Sequence, residues 1–101
     1  MVEINIQLVN DNVVSIQMEG HANSNKKGHD LVCAALSAVI VGGAEAIKND
    51  KDYDFKFKDG YAHIIANYDI SSDDQIVLNT IKKQLECIER NNKKFVKINI
   101  N

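Results

Sequence analysis

Residues 31–47 read LVCAALSAVIVGGAEAI, with no charged side chain before Glu45. Val32, Ala35, Leu36, Val39, Gly43, Ala46 and Ile47 recur at helical spacing and form one broad apolar stripe. Cys33, Ser37 and Ala44 edge that stripe, and Ala34, Ala38 and Val41 lie further round. A helix with almost no polar face has to be covered on more than one side. A sheet is one cover; a second subunit or a bound substrate is the other. Gly42-Gly43 costs helix stability, about 1 kcal/mol per glycine relative to alanine, and so points to close packing or a bend there.

The flanking sequence supplies the sheet. Val2, Ile4, Ile6 and Leu8 alternate with Glu3, Asn5 and Gln7, the period of a half-buried strand. Asn10-Asp11-Asn12 is turn chemistry, and a second strand follows with Val14, Ile16 and Met18 on one face. Beyond the helix, Tyr53, Phe55 and Phe57 alternate in a third strand, and Asp59-Gly60 marks a two-residue hairpin. The fourth strand runs over residues 61–68, with Ala62, Ile64 and Ala66 on one side. Ser72 and Gln75 have capping-box spacing before a second helix, whose stripe is Val77, Ile81, Leu85 and Ile88 and which closes near Asn91-Asn92. Val96, Ile98 and Ile100 form a last strand at the sheet edge. The order β-β-α-β-β-α-β predicts an α+β fold: one domain over residues 1–101, a largely antiparallel sheet and two helices packed on one face.

Composition removes several functions. A formal charge of −2 and a single arginine, Arg90, give no electrostatic basis for binding nucleic acid. No apolar run approaches the roughly 20 residues that cross a bilayer, and no signal peptide precedes the first strand. Cys33 and Cys87 are the only cysteines. We therefore expect a cytoplasmic, reducing setting with both thiols free.

The chemistry concentrates in residues 20–37, GHANSNKKGHDLVCAALS. Gly20 ends the second strand and leaves His21 at its exit; a polar loop then leads to the helix. Asp30 is placed to cap that helix, which puts Cys33 in its first turn. A first-turn thiol feels the positive end of the helix dipole, which favours thiolate. His21, twelve positions earlier, can be brought back by the loop to take the thiol proton. Asp30 either caps the helix or orients the imidazole. Ser37, one turn beyond Cys33, either bonds the sulfur or a substrate carbonyl, or bonds back to its own helix. A metal site at His21, His29 and Cys33 matches no common zinc spacing, so neither metal nor cofactor is expected. His29 reads as a solvated loop residue, His63 as structural or surface, Lys26 and Lys27 as a loop tip, and Cys87 as inert.

Gly20-His21-Ala22, then Gly28, then Asp30-Leu31-Val32-Cys33-Ala34-Ala35-Leu36-Ser37 resembles the signature of the ribosomal-processing cysteine proteases, the Prp (YsxB-like) family. The resemblance covers the whole chain, and the motif shows no departure. It implies that His21 is the base and Cys33 the nucleophile; Asp30, Ser37 and Gly20, by their places beside that pair, are the candidate supporting residues. It further implies a loop, including Ala22, Asn23, Lys26, Lys27 and Gly28, that orders over substrate, and a homodimer. The implied substrate is the short N-terminal extension of a bacterial large-subunit ribosomal protein (number twenty-seven), removed during ribosome maturation. The competing function is a non-catalytic, ribosome-associated homodimeric binding module that keeps the motif as a fold signature only.

Overall fold

The computed structural model describes residues 1–22 and 30–101. Strands β1 (Val2–Val9) and β2 (Asn12–Glu19) precede helix α1 (Leu31–Ala44). A 3-10 turn (Asp50–Asp52), β3 (Tyr53–Lys58), β4 (Tyr61–Ala66), helix α2 (Ser72–Asn91) and β5 (Val96–Ile100) follow. The sheet order is β3-β4-β2-β1-β5. Its β1–β2, β2–β4 and β3–β4 pairs are antiparallel, and β5 lies parallel to β1 at the edge. The parallel pair arises because α2 carries the chain back across the sheet, the connection that parallel strands need. The expected α+β fold, a largely antiparallel sheet with two packed helices, is the observed one.

Alternation decides which face is covered. Ile4, Ile6, Ile16 and Ile64 are at most 1% exposed and form one core with Leu36 and Ile40 of α1 and Leu78, Ile81 and Leu85 of α2. Glu3, Gln7, Glu19, Lys56 and Lys97 stay exposed. In β2 the inward alternation breaks. Ser15 pairs with Gln7 but Val13 with Leu8, so Val14 is an extra, bulged residue and Val13 takes the core place expected for Val14. The β1–β2 turn holds Asn10 at φ 51 and Asp11 at φ 65, left-handed conformations that these side chains tolerate.

The helices depart from their sequence patterns in informative ways. The buried edge of α1 is Val32, Leu36 and Ile40, and the helix ends at Ala44, so Ala46 is exposed beyond its end. The cap of α2 is Ser71, one residue earlier than expected; its hydroxyl accepts from the Asp74 amide at 3.2 Å. Leu78, rather than Val77, is the fully buried residue of its first turns. Asp74 is 1% exposed, and its carboxylate accepts from the Lys48 and Asn49 amides at 2.7 and 3.2 Å and from the Tyr53 hydroxyl at 3.1 Å. That carboxylate ties the α1–β3 connection to α2. Burial, with the Asp74 charge beside it, pushes the Tyr53 phenol well above its ordinary range. β4 stops at Ala66, short of Tyr68.

The adjacent glycines of α1 do different things. A Cβ on Gly43 would come within 2.5 Å of Ile81 Cγ1, so this glycine lets the two helices approach. A Cβ on Gly42 would meet nothing within 4 Å. Urea unfolding should therefore separate them in sign. Gly42→Ala raises stability by about 0.5–1 kcal/mol through helix propensity, whereas Gly43→Ala lowers it by about 1–2 kcal/mol through overpacking against Ile81.

Candidate active site

The site is built where β2 ends and α1 begins. Gly20 leaves β2 at φ +104, and a Cβ there would lie 2.5 Å from the Met1 carbonyl oxygen, so only glycine fits this exit. Its N–H donates to the Gly60 carbonyl at 2.9 Å and docks the β3–β4 turn against the end of β2. His21 follows with an exposed side chain, while its carbonyl accepts from the Met1 amino group at 2.8 Å. Ala22, expected within the substrate loop, is instead buried at 3% exposure, and its amide donates to Cys33 Sγ at 3.1 Å. This bond joins the strand exit to the first turn of the helix.

Asp30 is the N-cap of α1: its Oδ1 accepts from the Cys33 amide at 3.0 Å. Capping, one of the two roles open to Asp30, is thus seen. Cys33 is half-buried, and its thiol pKa is raised, against the expectation of a thiolate-favouring first turn. Burial is the largest cause, opposed by the Ala22 amide. The bond and negative charge of Asp30 push upward again, and the Met1 ammonium pulls down. The cap that stabilises the helix end thus also sets a carboxylate beside the sulfur, offsetting what the dipole offers.

Gly20, His21, Cys33 and Ser37 line one small cleft of about 90 Å³. Met18, Leu36, Val41 and Phe57 add an apolar lining, and residues 58–62 of the β3–β4 hairpin close the side. Ser37 is exposed on the cleft, and Cys87 is free and exposed, not among the cleft residues. Asn23, Lys26, Lys27, Gly28 and His29 lie outside the described residues. His63 is structural: its Nε2 pairs with Asp54 Oδ2 at 3.1 Å, and its Nδ1 lies 3.0 Å from the Tyr61 hydroxyl. That hydroxyl in turn accepts from Gln17 Nε2 at 3.0 Å.

Reading the motif alone missed the hairpin's part in the site. Its residues lie some forty positions downstream; only the Asp59-Gly60 turn signal combined with β2–β4 pairing could have brought them there. A second, larger groove of about 490 Å³ runs between the helices and is lined by Ala38, Val39, Gly42, Ile76, Val77 and their neighbours.

Comparison with known proteins places these features. A family model described as cysteine protease Prp matches residues 1–97. The ribosomal processing cysteine protease Prp of Staphylococcus aureus (strain Mu50 / ATCC 700699) is 34% identical over 98 residues, covering 90% of this chain and 92% of that protein. The crystal structure of an essential ribosomal processing protease Prp from S. aureus, in complex with a covalently linked product peptide, superposes with a TM-score of 0.88 at 28% identity over 100% of both chains. SMU.848 from Streptococcus mutans shares the fold, with a TM-score of 0.80 at 23% identity over 99% of this chain and 93% of that one. An unpaired cysteine at a helix start, a histidine at the adjoining strand exit and a match along nearly the whole chain agree: the chain belongs to the cysteine protease Prp family.

Proposed function

We propose that Cys33 is the nucleophile and His21 the general base of a cysteine endopeptidase. Its proposed substrate is the short N-terminal extension of a bacterial large-subunit ribosomal protein (number twenty-seven), removed during ribosome maturation. The observation that carries this reading is the Ala22 N–H to Cys33 Sγ bond. It ties the sulfur to the residue after His21, and both side chains line one cleft. The relatives' names, ribosomal processing proteases, and a relative held with a covalently linked product peptide support the substrate class.

The mechanism follows from the resting state of the sulfur. Burial and the Asp30 charge favour the neutral Cys33 thiol, so a base has to take its proton for the sulfur to attack. His21 takes the Sγ proton, and Sγ bonds to the scissile carbonyl carbon. The carbonyl π pair moves to oxygen, making the tetrahedral oxyanion. The Cys33 amide is occupied by Asp30, so it is not the free donor that a first-turn position suggests. The Ala22 N–H, already aimed at the sulfur, is the better-placed donor to that oxyanion. Collapse breaks the C–N bond, and imidazolium gives its proton to the departing amine. Water, deprotonated by His21, then attacks the thioester; the C–S bond breaks, and protonation restores the thiol. Met18, Leu36, Val41 and Phe57 suit an apolar substrate side chain in the cleft.

The proposal extends to assembly and setting. A second copy of this chain is the proposed cover for the groove between the helices, where Ile76 is 67% exposed. No helix among the described residues is long and apolar enough to cross a membrane, and a cytoplasmic setting fits a ribosomal substrate.

Incubation with the ribosomal protein bearing its natural extension tests the assignment. Wild type shortens it, and Cys33→Ala and His21→Ala do not; cleavage that persists in Cys33→Ala rejects the nucleophile and leaves the binding module. Alkylation of Cys33 by iodoacetamide tests the thiol. A raised pKa leaves the thiol protonated through neutrality, so the rate should climb about tenfold per pH unit from pH 7 toward 9. Asp30→Asn, which keeps a capping oxygen but loses the charge, should move that rise to lower pH; a rate already flat at pH 7 in wild type defeats the expectation. In sedimentation velocity, wild type should run at dimer mass and Ile76→Glu as a monomer, whereas a wild-type monomer at all concentrations ends the homodimer proposal.

A further inference from the structure

Gly60 stands at the meeting of two elements far apart in sequence. It occupies the β3–β4 turn at φ +75. A left-handed turn position does not by itself demand glycine in this protein, because Asn10 and Asp11 hold φ 51 and 65 in the β1–β2 turn. What separates Gly60 from them is its neighbour. A Cβ built on Gly60 would lie 2.9 Å from His21 Nε2, 3.4 Å from Cε1 and 3.6 Å from Cδ2. The imidazole therefore occupies the space that any side chain at this position would fill.

The seat is itself anchored. The Gly60 carbonyl accepts from the Gly20 N–H at 2.9 Å, one residue before the histidine it faces. The turn's roots are held by the Lys58–Tyr61 strand pair and by the line of polar contacts from Gln17 through Tyr61 and His63 to Asp54. An exposed histidine on a strand exit would otherwise be free to sample its rotamers. We propose that Gly60 is a positioning residue for the peptidase reaction. On this view its bare Cα seats the His21 imidazole in the cleft shared with Cys33, and the β3–β4 turn sets the direction of proton transfer. This rests on the reading of His21 as the base.

The chemistry makes the consequence unequal for fold and function. His21 is exposed, so a side chain at position 60 displaces the ring toward solvent without opening the core. Displacing a base by about 1 Å costs on the order of 100-fold in rate, while the fold loses only what the turn loses.

The test compares Gly60→Ala, Gly60→Asn, His21→Ala and the double variant His21→Ala/Gly60→Ala. The readouts are kcat and KM for cleavage of a peptide carrying the natural extension and the thermal midpoint. Asparagine tolerates the left-handed backbone better than alanine but fills more space. If the seat matters, Gly60→Asn is the more stable of the two single variants and no more active than Gly60→Ala. Both then lose kcat by about 100-fold with KM little changed, and both approach the residual cleavage rate of His21→Ala. In the double variant, alanine at position 60 has no further effect on the cleavage rate, because the ring it displaced is gone. Activity restored in Gly60→Asn overturns the proposal in favour of backbone strain, and wild-type kcat in Gly60→Ala overturns it outright. Should Gly60→Ala fail to fold, Gly60→Asn and its kcat decide alone: a wild-type kcat is a rejection. Full cleavage by His21→Ala removes the base reading instead, an outcome separate from failure of the seat.

Discussion

A helix without a polar face calls for cover, and the cover that the sheet and α2 give one side of α1 organises this molecule. Val32, Leu36 and Ile40 settle onto the sheet, and Gly43 lets Ile81 of α2 come against the other flank. Once those contacts fix the axis, the first turn has one possible place, at the mouth of the crevice between the β2 exit and the β3–β4 hairpin. Hydrophobic burial, which is non-directional, is thereby converted into the placement of one sulfur atom. The directional part is supplied by few bonds: the Ala22 amide to Sγ and the Asp30 cap.

Those two bonds act on the thiol in opposite senses. The amide donor favours the anion, whereas the cap's carboxylate and the loss of hydration favour the neutral form and prevail. A helix end that needs a carboxylate for its unsatisfied amides therefore carries a cysteine whose neutral form is favoured.

Much of this could be read from the chain, because local patterns encode local structure. The alternation of Val2, Ile4 and Ile6, the Asp59-Gly60 turn, the Asp30 cap and the placing of His21 and Cys33 along one cleft all follow from neighbours in sequence. The misplacements occur where tertiary fit outranks periodicity. The bulge at Val14 turns Val13 inward to fill the core, and Leu78 displaces Val77 because α2 is rotated to meet the sheet. Ser71 takes the cap from Ser72, leaving Asp74 to turn inward and hold the Lys48 and Asn49 amides. No window of sequence announces that a buried aspartate serves a connection 25 residues away. The hairpin beside His21 is hidden for the same reason: pairing of β4 with β2, not proximity along the chain, brings it there.

The edge pairing of β5 with β1 has a consequence for when this protein becomes itself. β1 forms a local hairpin with β2, but its other edge is met by the C-terminal strand, where Val2 faces Val96 and Ile6 faces Ile100. Contacts of such separation form late, because the loop entropy must be met before they contribute. A chain emerging from the ribosome in order thus presents its histidine hairpin and its cysteine helix well before the strand that completes their scaffold. Until then β1 carries an open edge, an invitation to pair with other chains. The last strand is the latch: with it in place the edge is closed and the sheet that carries the cleft is whole.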